Sequence, residues 1–102
     1  MKKFTLYIGL NDKETKVQTI PTESAITLAE NLLCEICGGA TISQARGVYT
    51  HDDGTKVIEN TLVCVVFGCD IETITRAAVK ARDIFNQESV ALESCEVNSV
   101  FI

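Results

Sequence analysis

Along residues 4–8 the apolar Phe4, Leu6 and Ile8 alternate with Thr5 and Tyr7, the period-two pattern of a strand with one face on a core. A polar turn, Asn11-Asp12-Lys13-Glu14, comes next, and the short Val17–Ile20 piece carries no pattern that fixes it as more than loop. Ala25, Ile26, Ala29, Leu32, Leu33 and Ile36 then fall on one stripe at helical spacing. That predicts a helix opened by Pro21-Thr22-Glu23, with Thr22 as N-cap, and closed by Gly38-Gly39. Residues 41–50 predict a polar strand. His51-Asp52-Asp53-Gly54 predicts a tight hairpin turn, because Asp-Gly supplies positive φ angles at low cost.

A third strand is expected from about Val57 to Phe67, and its centre, Leu62-Val63-Cys64-Val65-Val66-Phe67, is apolar without alternation. Asp70 can cap a second helix whose stripe is Ile71, Ile74, Ala77, Ala78, Ala81, Ile84 and Phe85, with Asn86 as a left-handed C-cap. The last strand is placed over Ser89–Ile102. Its apolar phase changes between Val90/Leu92 and Cys95/Val97, which predicts a bulge near Glu93-Ser94.

Strand, helix, strand, hairpin, strand, helix, strand is the order of the ferredoxin-like α+β sandwich. A single domain over residues 1–102 is expected. Its antiparallel four-stranded sheet carries both helices on one face, with strands one and three in the middle. Two helices cover only one face, yet strand three is apolar on both: Val63, Val65 and Phe67 point one way, Leu62, Cys64 and Val66 the other. The expected occupant of the open face is a second copy of the chain, giving a homodimer packed sheet to sheet. The alternative is that the terminal strand or the Asn11–Ile20 loop folds over it.

Composition narrows the function classes. A net charge of -5 argues against nucleic-acid binding, which depends on Lys and Arg displacing counterions. No stretch is apolar enough to span a membrane, and polar residues break up the segment after Met1-Lys2-Lys3, so a cytoplasmic location is the simplest expectation. The five cysteines are an odd number and read as reduced packing residues. Cys34-Glu35-Ile36-Cys37 is a lone CxxC at a helix C-terminus, where the dipole opposes a thiolate. Cys69 is expected near Cys37, but a zinc site lacks a fourth ligand, so no metal and no cofactor is assigned.

Motifs of catalysis are absent: there is no phosphate loop, nucleophile elbow or dinucleotide fingerprint. His51-Asp52-Asp53 reads as turn chemistry. The polar pole near the hairpin is the candidate ligand site, with Tyr7, Arg46, Tyr49, Gln87, Glu88 and Ser89 as its residues. Arg46 and Glu88 can form an ion pair there, or a cluster with Tyr7 and Gln87 that holds a small anion or amide.

Leu6-Tyr7-Ile8-Gly9-Leu10, Ala45-Arg46-Gly47 followed by Asp53-Gly54, and Gln87-Glu88-Ser89-Val90 together resemble the LYFGL, ARG…DG and GQESV series of a bacterial family of unknown function. The family's glycine before Gln87 is Asn86 here, a mild departure because Asn tolerates the left-handed conformation. The resemblance implies no reaction; it implies a shared role for Tyr7, Arg46, Gln87 and Glu88. Two functions are expected on these grounds. One is a non-catalytic homodimeric module that binds a small ligand or regulates a partner. The other is a small cofactor-free enzyme of the dimeric α/β-barrel type, with a pocket near Tyr7 and Arg46.

Overall fold

Four strands and two helices succeed one another as β1 (Lys2–Gly9), α1 (Thr22–Cys37), β2 (Thr41–Thr50), β3 (Lys56–Phe67), α2 (Ile71–Ile84) and β4 (Ala91–Glu96) in the computed structural model, which describes residues 1–102. All strand pairs are antiparallel and the sheet order is β2-β3-β1-β4, the ferredoxin-like α+β arrangement with β1 and β3 central. No helix is long and apolar enough to cross a membrane.

The core lies between sheet and helices. Phe4, Leu6 and Ile8 of β1 and Leu62, Cys64 and Val66 of β3 are buried against Ala25, Ala29, Leu32 and Leu33 of α1 and Ile74, Ala77 and Ala81 of α2. Pairing of Leu6 with Cys64 and of Phe4 with Val66 puts these side chains on one face, as strand alternation requires. Small residues on the inner helix faces let both helices approach the sheet. Val63, Val65 and Phe67 point to the other face, where Val63 and Val65 are half-buried and Phe67 is exposed. Phe101 meets the Phe67 ring edge-on at 6.0 Å, so the chain's last residues cover one end of that face.

Asp70 caps α2, its Oδ1 accepting from the Thr73 amide at 2.8 Å, and Asn86 takes the left-handed conformation with φ 48°. The hairpin turns through Gly54 at φ 87°, where His51 and Thr55 close a loop longer than a two-residue turn.

Four expectations are corrected. Thr22 is not a cap: Pro21 holds the N-cap position without a side-chain bond, and the Thr22 hydroxyl instead accepts from Gln18 Nε2 at 3.0 Å. The last strand is Ala91–Glu96, and its register with β1 is unbroken from Tyr7↔Ala91 to Lys2↔Glu96, so there is no bulge. The change of apolar phase arises because Leu92 packs against the core while Cys95, on the other face, is exposed, and Val90 and Val97 flank the strand. Ile71 and Ile84, the first and last residues of α2, are exposed, while Phe85 just after them is buried in the core.

Candidate functional site

β3 runs on past the helices into a hairpin, and β1 ends at Gly9 in the angle this leaves. A cleft of about 560 Å³ opens there. Three segments form its walls: Asn11, Asp12, Lys13 and Lys16 of the β1–α1 loop, Tyr49, His51, Val57 and Glu59 of the hairpin, and Gln87, Glu88 and Ser89 between α2 and β4.

Glu59 stands on the open face of β3, opposite Gly47 of β2 and diagonal to Gly9 of β1. Its Oε2 accepts from the Asn11 amide at 3.1 Å. A β-carbon at Gly9 would lie 2.5 Å from Glu59 Oε1, so the missing side chain is the room the carboxylate occupies. Glu59 is half-buried. Above it, Tyr49 meets His51 edge to face at 5.4 Å. Partial burial, then the charges of Glu59 and Glu88, raise the Tyr49 hydroxyl above its ordinary value of 10.0. Tyr49 therefore stays a neutral donor at neutral pH and adds an aromatic surface to the cleft.

The loop wall is built by Asp12. Its Oδ1 accepts from the amides of Glu14 at 2.8 Å and Thr15 at 3.0 Å, and its Oδ2 from Asn86 Nδ2 at 2.8 Å. The Asn86 bond and then the two amides hold the carboxyl below its ordinary value of 3.8. Gln87 is 8% exposed, and its Nε2 donates to the carbonyls of Asn11 at 2.6 Å and Phe85 at 3.1 Å, stapling the α2–β4 turn to the end of β1. At the far end of the loop, Asn60 Nδ2 donates to Gln18 Oε1 at 2.8 Å. Both ends of the loop are tied down.

Of the residues singled out in the sequence, Tyr49, Gln87, Glu88 and Ser89 meet in this cleft. Tyr7 and Arg46 do not line it. The Tyr7 hydroxyl donates to Glu93 Oε1 at 2.7 Å, and this bond, with slight burial, raises its pKa. Arg46 pairs in register with Asn60, on the face of the sheet opposite Tyr49, because odd and even positions of β2 point opposite ways. The expected Arg46–Glu88 ion pair is absent for the same reason. A pocket near Tyr7 and Arg46 is thus corrected to one at Tyr49 and Glu59.

Glu59, Asn11, Lys13 and Lys16 escaped the sequence reading. The signal for Glu59 was a carboxylate in the phase of Val57, Val63 and Val65, with a glycine nearby on each neighbouring strand.

At the opposite pole Cys37 neighbours Cys69, and burial first, then that neighbour, pushes the Cys37 thiol up to about 11. Burial alone pushes Cys64 up to about 11. These are poor nucleophiles at neutral pH. No three His, Cys, Asp or Glu side chains converge as a metal site.

Gly9→Ala separates the site from the fold. Its backbone does not need glycine's freedom, and the clash falls on the movable end of Glu59, so thermal unfolding should shift by only a few degrees. The carboxylate must swing out and release the Asn11 amide. A crystal structure of the variant with Glu59 unmoved would contradict this packing.

No protein-family model matches the chain, and no curated protein sequence matches it. Solved structures do. A phage SAM lyase in complex with S-methyl-5'-thioadenosine superposes with a TM-score of 0.70 and 26% identity, over 93% of this chain and 80% of that one. A phage SAM lyase in its apo state gives 0.65 and 26% identity, over 92% and 78%. The divalent ion tolerance protein CutA1 from Ehrlichia chaffeensis gives 0.56 at 16% identity, over 97% and 84%, a likeness of fold alone. This chain therefore shares the ferredoxin-like fold with both proteins.

Proposed function

We propose that the chain binds S-adenosylmethionine in the cleft at the end of β1 and cleaves it to S-methyl-5'-thioadenosine. The supporting observation is the cleft lined by Tyr49, Glu59 and Glu88, in a chain that resembles a phage SAM lyase over most of its length. A sulfonium is a soft cation, attracted to an aromatic face and to carboxylates.

The chemistry asks little of the protein. The bond between the sulfonium sulfur and the γ carbon of the methionine part breaks, and sulfur keeps the electron pair, leaving a neutral thioether. The amino-acid fragment is completed either by its own carboxylate oxygen closing on the γ carbon, with no proton transferred, or by loss of a β proton to a carboxylate such as Glu59. Neither route needs an oxidant or reductant. Because positive charge at sulfur disappears in the reaction, tight binding of that charge alone would not speed it; the rate depends on positioning the rest of the substrate.

The non-catalytic module is the second reading, in which the same cleft binds its ligand and returns it unchanged. Both readings include self-association through Val63, Val65 and Phe67, whose face the terminal segment covers only at its Phe67 end.

Incubation with S-adenosylmethionine followed by chromatography should show S-methyl-5'-thioadenosine accumulating with enzyme concentration, and proton NMR of the other product tells lactone from alkene. Glu59→Gln should weaken binding of the cation by about tenfold and leave the neutral thioether's affinity unchanged. Binding without product would leave the second reading; neither binding nor product would end both. Sedimentation equilibrium at micromolar concentration should give more than the 11.1 kDa of one chain, and a monomer contradicts the packing of the open face.

A further inference from the structure

Two lysines and two glutamates face the cleft, the lysines on the same wall as Asp12. Lys13 and Lys16 stand on the β1–α1 loop, Glu59 and Glu88 on the hairpin and the α2–β4 turn. None of the four belongs to an ion pair, since the three in the molecule join Glu96 to Met1 and Lys2, and Arg82 to Asp83. Asp12, on the same wall, already accepts from two amides and from Asn86, and Glu14, between the lysines in sequence, accepts from Asn86 Nδ2 at 3.4 Å. In a chain of net charge -5, two cations therefore share one wall of the cleft with no ion-pair partner. Lys16 also holds a left-handed backbone at φ 65°, a position where Gly or Asn would be less strained. Its amide donates to the Asp12 carbonyl at 2.8 Å, and the Asp12 amide to the Val17 carbonyl at 2.9 Å, so the turn that presents the lysines is closed on itself. A strained residue kept in a fixed turn at a cleft points to a role in that cleft.

We propose that Lys13 and Lys16 clamp the α-carboxylate of the ligand while Glu59 and Glu88 face its positive charges, so that the cleft selects nucleosides carrying an intact α-amino-acid end. The proposal rests on the nucleoside reading under Proposed function and deepens it: it assigns the recognition of one functional group to one loop. The ligand it describes offers a carboxylate to the two lysines and cationic groups to the two glutamates. The clamp also favours release of product, because S-methyl-5'-thioadenosine has lost both the carboxylate and the sulfonium charge and is held by its nucleoside part alone. Substrate is retained and product is let go.

The test uses thioethers, which lack the sulfonium leaving group and are not turned over. Calorimetric titration compares S-adenosylhomocysteine, its carboxylate-free amine S-adenosyl-3-thiopropylamine, and S-methyl-5'-thioadenosine, on the native chain and on the double variant Lys13→Gln, Lys16→Gln. Both lysines are exposed, so the variant should fold. The native chain should prefer the carboxylate-bearing ligand over the amine by about tenfold or more. In the variant that preference should vanish, with S-methyl-5'-thioadenosine bound as before. A preference that survives the double substitution, or that the native chain lacks, overturns the clamp and leaves the nucleoside reading standing. Loss of S-methyl-5'-thioadenosine binding in the variant would assign the lysines to building the cleft and also overturn it. If the native chain binds none of the three ligands, the nucleoside reading itself fails and the clamp with it.

Discussion

A carboxylate that stands where a neighbouring strand has no side chain is the constraint on which the cleft depends. Glu59 projects from the open face of β3 into the space that a β-carbon at Gly9 would take, and there it accepts from the Asn11 amide. That one arrangement fixes where β1 can leave the sheet and how the next loop begins. The loop in turn sets Asp12, whose bonds to Glu14, Thr15 and Asn86 tie it to the C-terminal cap of α2. Gln87 closes the circuit by donating back to the Asn11 carbonyl. Three segments distant in sequence are thus locked around one half-buried acidic group. The structure holds that group with a single amide, leaving most of its hydrogen-bonding capacity directed at the cleft.

The fold beneath this arrangement is not what distinguishes it. The likeness to CutA1 at 16% identity is one of fold alone, and a fold does not fix a function. The core is ordinary: aliphatic strand positions on small residues of two amphipathic helices. What sets the molecule apart is the polar pole beyond the ends of those helices, where the sheet continues without cover and charges of both signs gather without pairing. In water a surface lysine and glutamate gain little by pairing, so unpaired charges are common. Their gathering in one cleft with Tyr49 is the less ordinary fact.

The architecture was legible in the sequence because each element carried its own period. Phe4, Leu6 and Ile8 declared β1, the stripe from Ala25 to Leu33 declared α1, and Asp70 and Asn86 marked the ends of α2 by their capping chemistry. Failures fell where the cause was tertiary. Thr22 looked like a cap, but Gln18 reaches its hydroxyl first. Val90 and Val97 looked like strand residues out of phase, but they flank the strand. Tyr49, Gln87, Glu88 and Ser89 come together in one cleft because they lie near turns at one pole. Arg46 was placed with them by proximity along strands, a measure blind to the face on which a side chain emerges, and Tyr7, though on their face, bonds Glu93 of β4 instead. Counting positions along β2 from Tyr49 would have put Arg46 on the other side. Glu59 required seeing that Gly9 and Gly47 leave room beside it, which depends on strand register and cannot be read from any one strand.

The central claim is that the end of β1, the hairpin and the α2–β4 turn form one binding site for a thioadenosine ligand. Amide chemical-shift mapping of the isotope-labelled chain, titrated with S-methyl-5'-thioadenosine, tests it directly. Saturable shifts should concentrate at Asn11, Glu59, Gln87 and Ser89, with the Cys37 and Cys69 pole unmoved. Shifts centred on the outer helix faces or at the cysteine pole, or none at millimolar ligand, would contradict it.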